Sequence, residues 1–215
     1  MLALVAVFAF GAIATTAAFA EETEYLESGG PVTVGALIDS EGELLLADHK
    51  GGVFGEEVMV LCSGENLGEV LSSTDVDITA IWELGLSDPE GAGPVKCTVQ
   101  AGICSNAVAT PVNLPWLAEL MLEGALIDPL LTSSTGAVGT NPGWTVECSG
   151  VAEDTCTGEA LLDVKNEPNG TIDFEFLEAN AIANCSRGGT GSGLVEGLVL
   201  VLSVTAGLSI EVMGS

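Results

Sequence analysis

Six cysteines, one histidine and a large excess of carboxylates are the residues of this chain with chemistry to offer. Cys62, Cys97, Cys104, Cys148, Cys156 and Cys185 include no C-x-x-C pair, and His49 is far in sequence from all of them. The ligand spacing of a zinc finger, a thioredoxin-like redox pair or a haem attachment is therefore missing. An even cysteine count in an exported chain points instead to three disulfides. His49 is the only imidazole and there is no G-x-S-x-G elbow, so a serine nucleophile has no base at a recognisable spacing. Within Ala47-Asp48-His49-Lys50-Gly51-Gly52 the histidine reads as a turn residue between strands. A glycoside hydrolase needs only two carboxylates about 5 to 10 Å apart, and 31 acidic residues supply candidates without selecting a pair.

Calcium is the one cofactor the acids suggest. The segments Asp39-Ser40-Glu41-Gly42-Glu43 and Asp75-Val76-Asp77, read as loops, offer oxygen ligands, though neither has the EF-hand spacing. Aromatic residues make up 5% of the chain, which leaves little for a sugar-stacking surface. Trp82 lies in an alternating segment and is expected in the core. Trp116 and Trp144 follow Pro115 and Gly143 at loop-to-strand junctions and are the candidate ligand platform. The glycine-rich run Arg187-Gly188-Gly189-Thr190-Gly191-Ser192-Gly193 has neither the dinucleotide pattern nor the P-loop lysine, and reads as a turn between strands.

Residues 1–20, MLALVAVFAFGAIATTAAFA, carry no charge and end in Ala18-Phe19-Ala20. An apolar core followed by an A-x-A site is the pattern of a secretory signal peptide, with cleavage expected after Ala20. A one-pass anchor is the alternative, since about 20 apolar residues span a bilayer and this run has almost none to spare. The cleaved chain is expected to have no stable membrane span. With 31 acidic against 4 basic residues, the formal charge of −27 repels phosphate backbones and anionic lipid headgroups. Nucleic acid is thereby excluded as a partner, and the scattered acids read chiefly as a solvated surface. An apolar content of 47% argues for a folded chain with a real core.

Alternation with a period of two, cut by Gly, Pro, Asn and Asp, dominates the rest. Strands are expected over residues 32–38, 43–47, 57–62, 75–83, 95–100, 107–113, 118–123, 144–148, 159–164, 171–177, 195–204 and 208–212. Residues 115–126 also allow a helix opening at Pro115. Ile172, Phe174 and Phe176 share one strand face, Asp173 and Glu175 the other. Asn169-Gly170 before them suits a type I′ turn, pairing this strand with residues 159–164.

A weak internal repeat organises the cysteines. Val60-Leu61-Cys62-Ser63-Gly64 corresponds to Val146-Glu147-Cys148-Ser149-Gly150, and each copy closes on a later cysteine, Cys97 or Cys185. Equivalent copies would pair Cys62 with Cys97 and Cys148 with Cys185, leaving Cys104 for Cys156. The competing connectivity joins Cys97 with Cys104 and Cys148 with Cys156, leaving Cys62 for Cys185. The repeat divides the chain into a first β half, residues 21–113, and a second, residues 114–215, either separate or sharing one core.

The elements Cys62-Ser63-Gly64, Leu114-Pro115-Trp116, Asn141-Pro142-Gly143-Trp144-Thr145-Val146-Glu147-Cys148 and Asp154-Thr155-Cys156 resemble a set of uncharacterised secreted, cysteine-containing β-rich proteins of actinobacteria. That resemblance implies a cell-envelope or extracellular setting and no particular activity. The expectation is an all-β antiparallel sandwich, one large or two small in tandem, held by disulfides. Its expected role is non-enzymatic, structural or adhesive, with a cell-surface protein or glycan as partner. A carbohydrate-binding module using Trp116 or Trp144 is the alternative, and a carboxylate-dependent glycoside hydrolase comes third.

Overall fold

Strand periodicity carries through the described residues. A computed structural model describes residues 24–27, 29–50, 56–86, 93–102, 104–123, 126–133, 140–149, 153–166, 172–181, 183–203 and 210–213, and these contain strands and no helix. In chain order the strands are β1 (Glu24–Glu27), β2 (Gly30–Pro31), β3 (Leu37–Asp48), β4 (Val58–Val70), β5 (Asp75–Glu83), β6 (Val95–Ala101), β7 (Ser105–Val112), β8 (Trp116–Glu123), β9 (Leu126–Ser133), β10 (Gly143–Ser149), β11 (Asp154–Thr157), β12 (Ala160–Asn166), β13 (Ile172–Ala181), β14 (Ala183–Cys185), β15 (Gly189–Ser203) and β16 (Ile210–Met213). The expected signal peptide lies outside the described residues.

The long strands β3, β4 and β15 form an antiparallel spine, with β3 between the other two. Each flank of the spine changes partner along its length. The Gly64–Val70 end of β4 pairs with β5 and the Met59–Cys62 end with β6, while β15 pairs with β13 over 197–201 and with β14 over 189–193. Two circuits of antiparallel ladders result, sharing the spine. One runs β4-β5-β8-β9-β12-β13-β15-β3, the other β4-β6-β7-β10-β11-β14-β15-β3. At β9–β12 only Ala160 and Leu161 find partners, so the first circuit is two facing sheets with a loose corner rather than a uniformly paired barrel. A small sheet, β16-β1-β2, adds to the same end, where the amide of Tyr25 donates to the Ser73 carbonyl.

Inward-facing residues of the spine feed two clusters. Ile38 and Val70 join Tyr25, Val32, Val76, Leu120 and Val164 at one end; Leu46, Val60 and Cys62 join Ile81, Val95, Ala107, Ala109, Trp116 and Trp144 at the other. Burial, with a further push from the Asp75 charge, raises the Tyr25 phenol far above its ordinary pKa. Neither circuit is confined to one side of residue 113: β4, β6 and β7 pack with β10, β11 and β14, and β5 and β8 with β9, β12 and β13. The two sequence halves are interleaved through a shared spine rather than stacked in tandem.

Residues 115–126 are strand over Trp116–Glu123, not helix. Residues 159–164 do pair with 171–177, through Leu162 opposite Phe176 to Asn166 opposite Ile172; the Asn169-Gly170 turn is outside the described residues. Two expectations near the start fail together. Val32 to Ala36 is not strand but a turn, with Gly35 at φ +83° and the Ala36 amide donating to the Thr33 carbonyl. Asp39 to Glu43 is not a loop: β3 runs unbroken through it, with Ser40 buried and the acids alternating outward. Ser and Gly among acids look like a turn in sequence, but on an outward/inward alternation they fit a half-buried strand equally well.

The cysteines form three disulfides. Cys62–Cys97 is the bond the repeat leads one to expect; the others are Cys104–Cys148 and Cys156–Cys185, in place of Cys148–Cys185 and Cys104–Cys156. The near-neighbour alternative fails as well, because β10 sets Trp144, not Cys148, opposite Cys156. A peptide map of the unreduced protein should contain the three observed links. Replacing Cys104 and Cys148 by Ala together opens a closure spanning 44 residues. In the chain-entropy account this costs about 4 kcal/mol, measured by denaturant unfolding; a loss below about 1 kcal/mol would remove the bond from the set that stabilises the fold.

Candidate functional site

Trp116 and Trp144 are brought together, but inside the core. They are 4% and 7% exposed, with ring centroids 5.5 Å apart at 76°, an edge-to-face pair. Gly143 makes this possible, since any side chain there would run into the Cys156 carbonyl and Thr157; β10 can approach β11 closely only with glycine. The Trp116 indole donates to the Val112 carbonyl at 2.8 Å, and the Asn113 amide to the Asn141 carbonyl at 2.9 Å. Stacking a sugar ring needs an open aromatic face, so the candidate ligand platform is corrected to a core contact linking β8 of one circuit to β10 of the other. Trp82 is buried as expected.

The acids gather into one outward face. Opposite residues of adjacent strands share a face, and β3, β4, β5 and β8 set Glu41 opposite Glu65, Glu69 opposite Asp77, and Asp75 opposite Glu119. Each of these is a like-charge pair, a destabilising arrangement. Its effect is visible at Asp39 and Asp77, whose pKa values are raised, first by burial and then by neighbouring acids: Glu65 and Glu41 for Asp39, Glu69 and Asp75 for Asp77. The backbone bond from Ser40 opposes the rise at Asp39. One oxygen of each, Oδ1, is buried with no hydrogen-bond partner. Stability from these two carboxyls is present below the unfolded Asp value and is lost as pH climbs through the raised ones.

Some acids on this face have donors: Asp75 accepts from the Ser72 hydroxyl at 2.7 Å, and Glu65 has two. Its carboxylate accepts from the Trp82 indole at 2.9 Å and from the Gly85 amide at 2.9 Å, and so fixes the end of β5. Ser63 similarly donates to Glu43 at 3.0 Å. Alternate residues on one strand stand about 7 Å apart, so the acids of Asp39-Ser40-Glu41-Gly42-Glu43 splay along a flat surface and do not wrap an ion.

A second acidic feature, not singled out in the sequence, lies where β3 ends. Asp48, 3% exposed, meets Asp154 of β11. With the sulfurs of Cys156 and Cys185 they lie within 4.8 Å of one another. Those sulfurs are in a disulfide and offer no thiolate, leaving two carboxylates where calcium takes about 6 to 8 oxygens. Asp48 Oδ1 accepts from the Lys50 amide and Oδ2 from the Gly188 amide; Asp154 Oδ1 accepts from the Ser186 hydroxyl and the Arg187 amide. The carboxyls thus capture the Ser186–Gly188 turn between β14 and β15. His49 sits at the neighbouring turn, bonded to Glu57 at 2.6 Å.

Fold and site together define a class: an all-β protein of shared-spine circuits, braced by disulfides and faced with carboxylates. Comparison of the chain with protein-family models, curated proteins and solved structures finds no match.

The acidic face makes opposite predictions for two residues that face each other. Glu41→Gln removes a like-charge neighbour and should stabilise by up to about 0.5 kcal/mol. Glu65→Ala strands the Trp82 and Gly85 donors and should cost about 1–3 kcal/mol. Thermal melts of both at neutral pH check this, and equal signs would show that the face is not governed by these pairings.

Proposed function

We propose that this chain is an exported, non-enzymatic protein of the extracellular space or cell envelope, structural or adhesive, working by surface contact. The observation that carries the reading is that all six cysteines are consumed in three disulfides with none left free. Such bonds persist in oxidising surroundings and are rare in the cytosol. The apolar segment 1–20 supplies the matching address. Contact rather than catalysis is supported by where the chemistry has gone: the tryptophans pack the core, the one histidine binds a glutamate at a turn, and Asp48 and Asp154 spend their oxygens on backbone and hydroxyl donors. The outward face of β3, β4, β5 and β8 carries opposed acids with Leu37, Leu67 and Leu117 between them, suited to a partner surface that carries positive charge and unsuited to nucleic acid or anionic lipid.

Protein recovered from its natural host should be extracytoplasmic, begin at Glu21 and resist maleimide until it is reduced. A chromogenic glycoside panel should give no turnover, and a glycan array should leave tryptophan fluorescence unchanged. Six freely reactive thiols would overturn the location. Turnover abolished by one Asp or Glu substitution would overturn the non-enzymatic role in favour of a hydrolase, and glycan quenching of Trp116 or Trp144 would favour a carbohydrate-binding module.

A further inference from the structure

Around the second circuit, neighbouring strands are joined alternately by a short connection and by a disulfide. The chain itself links β3 to β4, β6 to β7, β10 to β11 and β14 to β15; Cys62–Cys97 links β4 to β6, Cys104–Cys148 links β10 to the residue preceding β7, and Cys156–Cys185 links β11 to β14. One seam, β15 against β3, has no covalent tie and is held by its ladder from Ile38 opposite Ser203 to Asp48 opposite Gly193. Asp48 stands at the end of that seam, and the Asp48–Asp154 pair reaches from there to the turn that leads into β15.

We propose that Asp48 and Asp154 form a proton-holding clasp over this seam, closed while the pair shares a proton and loosened when both carboxyls ionise, so that the second circuit tightens as pH falls. An ionised carboxylate only accepts hydrogen bonds, so carboxyl groups whose oxygens lie within 4.8 Å of each other attract only when one of them holds a proton. Asp48 is buried, and two carboxylates in contact cannot both ionise without a large repulsion. Both carboxyls also accept other bonds: Asp48 from the nearby Lys50 amide at 2.8 Å and from the Gly188 amide of the captured turn at 2.9 Å, Asp154 from the Ser186 hydroxyl at 2.7 Å and the Arg187 amide at 3.0 Å of the same turn. Burial raises the Asp154 pKa, the neighbouring Asp48 carboxyl raises it further, and the Ser186 and Arg187 donors oppose the rise. Among the described residues, the charged groups next to the pair along the chain are His49 and Lys50 after Asp48, Glu153 before Asp154, and Arg187 in the captured turn, with Glu57 bonded to His49.

A raised carboxyl gives stability that is complete below the unfolded Asp value and disappears as pH climbs through the folded one. The test compares the oxidised wild-type protein with Asp154→Asn, whose amide donates to Asp48 at every pH. The Tm of the variant should exceed that of wild type by ~2–4 °C at neutral pH and above, with the difference shrinking as pH falls towards the unfolded Asp value. Asp39 and Asp77 are common to both proteins, so their pH dependence cancels in the difference. Parallel Tm curves would overturn the proposal. Should Asp154→Asn fail to fold, Asp48→Asn places the donor on the other side of the pair. A titration of the wild-type aspartate carboxyl carbons by NMR needs no variant: Asp48 and Asp154 should titrate as a coupled pair above the ordinary Asp range, and ordinary independent values would overturn the clasp.

Discussion

Covalent threading of the second circuit, open only at the β15–β3 seam, is the constraint on which the rest of the structure leans. Each disulfide joins strands that are neighbours in space and distant in sequence, with separations of 35, 44 and 29 residues. Each short connection joins strands that are neighbours in both. The alternation threads the ring almost entirely through bonds. Cys62 lies opposite Cys97 and Cys156 opposite Cys185 in their ladders, so two of the bonds also fix register. A slip of one residue would carry every inward side chain of β6 or β14 to the wrong face, and the bonds forbid it.

The first circuit contains no disulfide within the described residues and yet carries the acidic face. Glu41 against Glu65, Glu69 against Asp77 and Asp75 against Glu119 all lie on β3, β4, β5 and β8. The repulsion is opposed by what lies beneath: Ile38, Val70, Val76 and Leu120 in the core behind those strands, with Tyr25 and Val32 closing the end. It is opposed as well by the spine, because β3 and β4 are held together by a twelve-pair ladder that both circuits share. A chain of net charge −27 can in this way present carboxylates in opposed rows without needing basic residues to neutralise them.

Much of the fold is legible because strand alternation is local. Residues 171–177 declare their two faces in seven letters, and their pairing with 159–164 follows from the turn between them. Trp82, inside an alternating run, is correctly assigned to the core. Legibility ends where the deciding partner is remote. Nothing within reach of Trp116 or Trp144 tells a loop-junction platform from a core contact, because the answer is the other tryptophan and the absence of a side chain at Gly143. Asp48 and Asp154 look like two acids among many until β3 and β11 meet at the same turn. Asp39 to Glu43 misleads in the opposite sense, since its composition suggests a turn and only the flanking strands reveal a buried Ser40.

The cysteine repeat shows why sequence symmetry could predict one bond and not the others. Cys62 and Cys148 sit in matching Cys-Ser-Gly segments, but β4 belongs to the spine and β10 does not. From β4 the second circuit continues to β6, a strand not joined to it by a short connection, and Cys97 lies directly opposite Cys62 there. The neighbours of β10 are β7 and β11. The chain already turns from β10 into β11, so the pair still to be tied is β7 with β10, where Ala107 lies opposite Cys148 and Cys104 comes within bonding reach just beyond it. Cys185 is then left facing Cys156 across the β11–β14 ladder. A disulfide needs Cα atoms within about 7 Å, so the ladder order selects the pairs, and that order is a property of the closed circuit that no single copy of the repeat contains.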